Sequence, residues 1–518
     1  MATADDPPPS TFRPLTIDLG VRSAARHTPD KVALRESGRD LTYRRLIERI
    51  DRVGNAAVAD LGLRPGEHGA ILAPNCLEYI EIVCGLASRA IAVAMPSPRL
   101  KPSEFTAICD DSQARVLFVH RSLEEAARSV KFASVERIIV IGGDYEEWIA
   151  RSSLAAPDRS PAEWSTFAIP YTAGTTGQPK GVMLSHRART LTFFAMGVEY
   201  GCYSPEDRAI ATAPLYHGAG FAFAMAPIYF GGFCEILPRF DPELILSKIA
   251  QTRATNIFMV PTYFHAIFAL GGAAFERHGV RTLKAIISNA APLPQATKEL
   301  IVEHFGDAVL HETYGSTEGG IVTNLRPPDQ LRKSGCVGLP FACTEVRLLD
   351  ENGGEAAIGE VGELFMRSPY LFNGYWNRPQ ETAAVMREGW FSAGDLGRRD
   401  DEGYVYLVDR KDDMIISGGI NVYPREIEEV LFHHPAVREA AVIGVPDSYW
   451  GKRIMAIVAV REEMTVSAGE LAEYCRQSLA GYKIPKTIRF IDALPRNAAG
   501  KVLKTDLRDR FSAPDDDR

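Results

Sequence analysis

The chain has 518 residues, of which 46% are hydrophobic and 24% charged. That balance belongs to a globular protein with room for about three or four structural units, and it excludes a mainly disordered or collagen-like chain. The 58 Lys and Arg against 66 Asp and Glu leave a net charge of -8, which argues against a globally basic nucleic-acid or membrane-surface protein but allows a local phosphate site.

Residues 1–12 are polar, acidic and proline-rich, with no basic start or apolar core of a secretory signal. Residues 1–14 and 513–518 read as disordered tails. Leu46, Ile50, Val53, Ala57 and Leu61 form one helical stripe over residues 42–61. A short apolar run at 70–73 follows, then a helix over 76–89, a run at 91–95, a helix over 103–110, and runs at 116–119 and 138–141. This β-α-β-α rhythm predicts a mostly parallel sheet covered by helices. It returns after residue 205, with strand-like runs at 209–213, 233–237, 256–260, 284–288 and 308–310.

Residues 218–234 carry no charge but include four glycines and a proline. The stretch is short for a membrane span and reads as buried core or a pocket wall. Residues 336–408 alternate between short strand patterns and glycine turns, as in a small β-rich unit. The last ~110 residues form another compact α/β pattern, with its boundary near 409–419. Eight cysteines stand at 76, 84, 109, 202, 234, 336, 343 and 475 without metal-ligand spacing. They read as reduced, mostly buried thiols of a cytoplasmic protein.

The most informative stretch is Tyr171-Thr-Ala-Gly-Thr-Thr-Gly-Gln-Pro-Lys180-Gly181. Its small residues allow close backbone approach to a phosphate, Thr172, Thr175 and Thr176 offer hydroxyl donors, and Lys180 adds a point charge. It is not a Walker A loop, because Lys180 follows Pro179. Taken alone, it reads either as a phosphate cradle or as an ordinary glycine-rich hairpin turn.

Further motifs follow in order: Pro214-Leu-Tyr-His217, Ser288-Asn-Ala-Ala-Pro292, Tyr314-Gly-Ser-Thr-Glu318, Trp390-Phe-Ser-Ala-Gly-Asp395, Asp409-Arg410-Lys-Asp412, Ser417-Gly-Gly419 and Pro495-Arg-Asn-Ala-Ala-Gly-Lys501. With the first loop they resemble the motif set of the adenylate-forming superfamily, in its acyl-CoA synthetase (acid:CoA ligase) branch. The resemblance runs from about residue 20 to 510. It implies an α/β protein. A large N-terminal AMP-binding domain, 15–409, would hold two packed α/β sheet units and a small β-rich unit. A hinge at 410–412 would join it to a small α+β C-terminal domain, 413–512.

The resemblance also implies roles. Lys501 would be the catalytic lysine that reaches the acyl carboxylate and the α-phosphate. His217 would stand at the edge of the acyl pocket. Glu318 would hold Mg2+, since hard cations prefer carboxylate oxygens. ATP would be bound by Thr172, Ala173, Gly174, Thr175, Thr176, Lys180, Asn289, Ala290, Ala291, Glu312, Thr313, Tyr314, Gly315, Thr317, Asp395 and Arg410, with Asp395 and Arg410 on the ribose. Gly418 and Gly419 would line the channel for the pantetheine arm of CoA, and Asp412 would be the hinge residue. Phe194, Phe221 and Gly319 would line the acyl pocket. Three departures from the family pattern stand out: Ala173 where serine is common, Asn289 in place of a glycine, and Gly319-Gly320, which would leave one pocket wall open.

The implied activity is ATP-dependent ligation of a carboxylic acid to CoA through an acyl-adenylate, with ATP, Mg2+ and CoA required. An aromatic, alicyclic or medium-chain fatty acid suits Phe193, Phe194, Phe221, Phe223 and Met225. The uncharged run after His217 implies rejection of free amino acids and short dicarboxylates, whose extra charge would be buried unpaired. The rival readings are loading of a carrier protein, amino-acid adenylation, luciferase-type oxygenation and a non-enzymatic nucleotide sensor. The intact Lys501 argues against the sensor. No nucleic acid or integral membrane partner is expected, and a homodimer is left open.

Overall fold

The computed structural model describes residues 11–157, 160–173, 179–307, 309–447, 449–496 and 502–511. The chain divides into two compact units, Met1–Val346 with Met366–Phe391, and Arg347–Phe365 with Ser392–Arg518.

In the first unit the expected rhythm appears as two sheets. One runs, in spatial order, through Arg137–Ile141, Ala114–His120, His68–Leu72, Ala92–Met95, Thr166–Ala173 and Pro179–Gly181, with Leu184–Ser185 also paired to Thr166–Ala173. Its first five strands are parallel. They are mostly buried, as a sheet covered on both faces requires. The other sheet runs from Leu339–Pro340 through Gly320–Leu325, Leu310–Ser316, Ala285–Ser288, Asn256–Met259, Arg208–Ala211 and Phe233–Ile236. It ends on Val32–Glu36 and Arg39–Thr42, so an N-terminal hairpin completes a sheet otherwise built from residues beyond 205. In place of the run expected at 308–310 the strand is Leu310–Ser316, which places the Tyr314 motif at a strand end.

Helices form where the stripes were read. Tyr43–Ala59 begins at Thr42, whose hydroxyl accepts from the Arg45 N–H. Leu46, Ile50, Val53 and Ala57 are buried along one face, while Leu61 lies beyond the helix end. The uncharged stretch becomes the helix Gly218–Tyr229, in which every residue from Gly220 onward is buried. A helix apolar on all faces belongs in a core. Phe223 stacks on Phe258 at 4.2 Å. No helix in the described residues is long and apolar enough to cross a membrane.

The second unit holds an antiparallel pair, Val437–Asp447 with Gly451–Val460, extended in parallel by Thr487–Phe490. Its helices are Pro424–Phe432, Ala468–Arg476 and Lys504–Phe511. Ile427, Leu431, Val442, Ile454 and Leu471 belong to one core of this unit; Ile443, Ile457, Leu494 and Leu507 belong to another. The eight cysteines are free, and Cys343 is the exposed one.

One buried ion pair ties a helix to the strand that carries the Tyr314 motif. Lys298, on Gln295–Phe305, is 1% exposed and pairs with Glu312 on Leu310–Ser316. The other Glu312 oxygen accepts from the Leu293 N–H at 3.0 Å. Removing one partner of such a pair leaves an uncompensated charge and costs about 3–5 kcal/mol. Lys298→Met should therefore lower unfolding stability by that order in urea titrations. A variant as stable as the parent would show that Glu312 needs no partner.

Candidate active site

The phosphate-loop stretch is flanked by two paired strands, Thr166–Ala173 and Pro179–Gly181, with Tyr171 opposite Gly181 and Thr172 opposite Lys180. Gly174, Thr175 and Thr176 lie outside the described residues, as does Lys501. Lys180 and Thr172 are half-buried at the base of the stretch.

What holds this base was not legible in the motifs. The segment 372–376 lies alongside the returning strand. The Asn373 N–H donates to the Met183 carbonyl at 2.8 Å, and the Met183 N–H donates to Gly374 at 3.0 Å. The Trp376 N–H donates to Gly181 at 2.8 Å, and the Phe372 N–H donates to the Glu318 carbonyl at 2.9 Å. One extended segment thus grips both the strand behind the phosphate loop and the loop bearing Glu318. Side chains repeat the tie. The Tyr375 hydroxyl donates to the Glu318 carboxylate at 2.9 Å. Lys180 Nζ stands 5.2 Å from the Tyr375 ring centre and 2.6 Å from Glu381. Tyr171, Trp376 and Arg378 all donate to Asp111.

His217 precedes the buried helix Gly218–Tyr229. Its turn is held by Asn75, which accepts from the Leu215 N–H at 2.8 Å and donates to the Ala213 and Leu237 carbonyls. A side chain at Gly220 would meet the Pro214 carbonyl at 2.0 Å, so only glycine lets the helix lie this close to the turn. Burial pushes the His217 imidazole down to about 4, helped by the charge of Arg99, so the ring is neutral at pH 7.

Two sequence expectations for the acyl pocket change. Phe194 is 45% exposed, packing edge-on against Tyr229 and Phe230, and is a surface residue. Gly319 leaves no open wall, because a side chain there would meet Met366 Sδ at 2.4 Å and one at Gly320 would meet Tyr370. Phe221 is buried as expected, against Phe167 at 5.9 Å.

The adenine-side loop begins where Ala285–Ser288 ends. Asn289 is half-buried, Ala290 and Ala291 are exposed, and Ala290 holds φ at +79°. That left-handed conformation is costly for a residue with a Cβ and is a form of local strain associated with ligand-binding loops. Thr313 donates to the Ser288 carbonyl, which joins this loop to the Tyr314 strand. Gly315 is needed where it stands, since a Cβ would lie 2.1 Å from the Gly320 carbonyl. Tyr314, Gly315 and Thr317 are half-buried. Glu312 is committed to Lys298 and the Leu293 N–H, so it shapes the site from behind.

In the second unit, Asp395 and Arg410 face each other on paired strands, 3.4 Å apart. Asp409 is buried and anchors the helix Pro424–Phe432, accepting from the Arg425 N–H at 2.9 Å. Asp412 lies on an exposed turn. Gly418 and Gly419 form a two-residue hairpin turn between Ile415–Ser417 and Ile420–Val422, both with positive φ. Trp450 packs over Gly418, and Gly419 is open.

Both units match known families. The profile of the AMP-binding enzyme family matches residues 21–376, and that of the AMP-binding enzyme C-terminal domain matches residues 426–501. A feruloyl-CoA synthase from an Amycolatopsis species is 36% identical over 94% of this chain and 97% of its own. A 2-succinylbenzoate–CoA ligase from Geobacillus kaustophilus is 33% identical over 95% of this chain and 98% of its own. Among solved structures, o-succinylbenzoate CoA synthetase from Bacillus subtilis, in complex with its acyl-adenylate, aligns with TM-score 0.86 at 28% identity, covering 96% of this chain and 98% of that one. The chain belongs to the AMP-binding enzyme family. Its activity is that of an AMP-forming acid–thiol ligase, an acid:CoA ligase.

Two measurements probe this geometry. Hydrogen bonds to charged groups contribute about 1.5–3 kcal/mol, so Tyr375→Phe should lower kcat roughly tenfold or more while leaving the thermal midpoint within a few degrees. Unchanged kcat would mean that the Glu318 carboxylate needs no such restraint. The second concerns acid stability. Burial holds His186, His217 and His311 near 4, below the ordinary value of 6.5. Between those values the unfolded chain binds more protons, so stability is full above about pH 6.5 and is lost as pH falls toward 4. For the fully buried His186 the loss approaches roughly 3 kcal/mol. Urea midpoints should drop from pH 7 to pH 5, and His186→Asn should flatten the slope. A flat parent profile would contradict the burial argument.

Proposed function

We propose that this ligase activates an apolar carboxylic acid (aromatic, alicyclic or medium-chain fatty) and transfers it to CoA, using the residues described above. The observation that carries the reading is the tie at 372–376, which holds Lys180 and Glu318 in one rigid frame.

The chemistry needs such a frame because two anions must meet. The acid's carboxylate oxygen forms a bond to the α-phosphorus of ATP while the bond to the departing pyrophosphate breaks. Fixed cations and donors at the phosphates lower that barrier without reorganising. Lys180 supplies a positive charge at the phosphate loop, and Thr172, Thr175 and Thr176 supply hydroxyl donors. Lys501 acts on the carboxylate and α-phosphate. Asp395 accepts from the ribose and Arg410 donates to it, with Tyr314 against the adenine. Glu318 fits a Mg2+ ion: its carboxylate is already oriented by Tyr375, and this ion is commonly held by one or two carboxylates together with substrate phosphates. When bound there, the ion would neutralise phosphate charge.

In the second step the CoA sulfur bonds to the acyl carbon, the bond to AMP breaks, and the thiol proton is released. The Gly418-Gly419 turn admits the pantetheine arm, and the exposed turn at Asp412 absorbs the backbone change between steps. Neutral His217 orients the acyl group. The absence of an acidic residue along Gly218–Tyr229 supports rejection of α-amino acids, whose amine would lack a partner. The reduced cysteines support a cytoplasmic setting.

The test is a panel of carboxylic acids assayed for AMP and acyl-CoA with Mg2+-ATP. AMP release dependent on acid and CoA together is expected. Turnover with a carrier protein and never with CoA would overturn the acceptor assignment. Single-turnover kinetics divides the roles further. Lys501→Ala should slow adenylation about a hundredfold or more, with thioester formation from supplied acyl-adenylate largely spared. Gly419→Leu should do the reverse. Equal losses in both steps for Lys501→Ala would mean that the lysine serves stability.

A further inference from the structure

Arg189 is a buried cation with no partner among the described residues. It sits on the helix His186–Tyr200 and is 8% exposed. Among the described residues it makes no hydrogen bond or ion pair, and its Nε is sealed from solvent. Two nearby hydroxyls on the same helix are satisfied: Thr190 donates to the His186 carbonyl and Thr192 to the Ala188 carbonyl, each at 2.8 Å. Burial lowers the guanidinium to about 10, so it is still charged at pH 7.

The direction of the side chain is defined by Gly218. A Cβ on Gly218 would lie 3.4 Å from an Arg189 terminal nitrogen and 3.7 Å from Thr317 Cγ2. Gly218 follows His217, and Thr317 precedes Glu318. The fork therefore reaches the gap between the two motifs. A fold rarely keeps a buried charge unpaired. The cost is offset when an anion arrives, and a planar guanidinium matches a carboxylate with two parallel bonds.

We propose that Arg189 binds a carboxylate of the acid substrate, which makes it a substrate-recognition residue of this ligase. The proposal rests on the acid:CoA ligase reading. The carboxylate is either the reacting group or a second one on the same acid. In the second case the expectation that short dicarboxylates are rejected is reversed, because their extra charge has a partner on a neighbouring helix. The Phe194 side of that helix faces outward, but Arg189 faces the opposite way, so the two residues do not share a surface.

The experiment compares the parent with Arg189→Met and Arg189→Lys, using octanoate and ferulate as monoacids, and octanedioate and 2-succinylbenzoate as diacids. Binding is read as the rise in thermal midpoint with millimolar acid, and activity as acyl-CoA formation. Without acid, Arg189→Met should be at least as stable as the parent, because an unpaired charge has gone. With acid, the midpoint rise seen in the parent should vanish. The KM for acid should rise at least tenfold with the KM for ATP unchanged, and Arg189→Lys should restore part of the loss. Loss for every acid assigns Arg189 to the reacting carboxylate, and loss confined to the diacids assigns it to the second. A parent that binds acids but forms no acyl-CoA would overturn the ligase reading and leave the arginine's role standing. The arginine proposal is overturned if no acid shifts the parent midpoint, if Arg189→Met binds acids as the parent does, if it is less stable without acid, or if only the KM for ATP changes.

Discussion

The site depends on how the segment 372–376 is clamped. It spends its backbone hydrogen bonds on Gly181 and Met183, behind the phosphate loop, and on Glu318. The stretch 181–183 and Glu318 are far apart in sequence, and the clamp is what joins them. With it, the ring of Tyr375 lies between Lys180 and Glu318 and touches both. Lys180 is paired with Glu381 and Glu318 accepts from Tyr375, so each is held by its own partner on or after this segment, and a polyphosphate would meet both in a fixed arrangement. Low-dielectric, pre-set electrostatics of this kind has value because little reorganises when charge develops.

The first unit manages its buried charges in different ways. Lys298 and Glu312 are paired, and the pair fastens the helix Gln295–Phe305 to the Tyr314 strand. His217 is kept neutral by burial. Arg189 is left charged and without a partner among the described residues, with its fork beside Gly218. The first two are complete within the fold. The third has no partner among the described residues, which is the ground for proposing it as a recognition group.

Much of the fold was legible in the sequence because its signals are local. The stripe of Leu46, Ile50, Val53 and Ala57 reports a helix face, and the apolar runs at 70–73 and 116–119 report buried parallel strands. The motifs also carried the site, since glycine, threonine and lysine in one short loop report phosphate chemistry. What could not be read was long-range. Nothing in residues 372–376 announces that they grip strands almost 200 positions earlier, and nothing in Asn75 announces that it holds the turn before His217. Phe194 looked like pocket lining because composition cannot say which face of a helix turns outward. Gly319 looked like an opening because a glycine reads the same whether it makes room for a ligand or for Met366. Arg189 was passed over because a single arginine in a helix is ordinarily solvated, and only its burial and lack of partners distinguish it.

The central claim is that this frame serves attack of a carboxylate on the α-phosphorus of ATP. It is tested most directly with acid labelled with 18O in both carboxylate oxygens, followed by mass spectrometry of the products. Formation of an acyl-adenylate and its capture by CoA must leave one labelled oxygen in AMP and none in pyrophosphate. Label in inorganic phosphate with release of ADP, or AMP free of label, would contradict it.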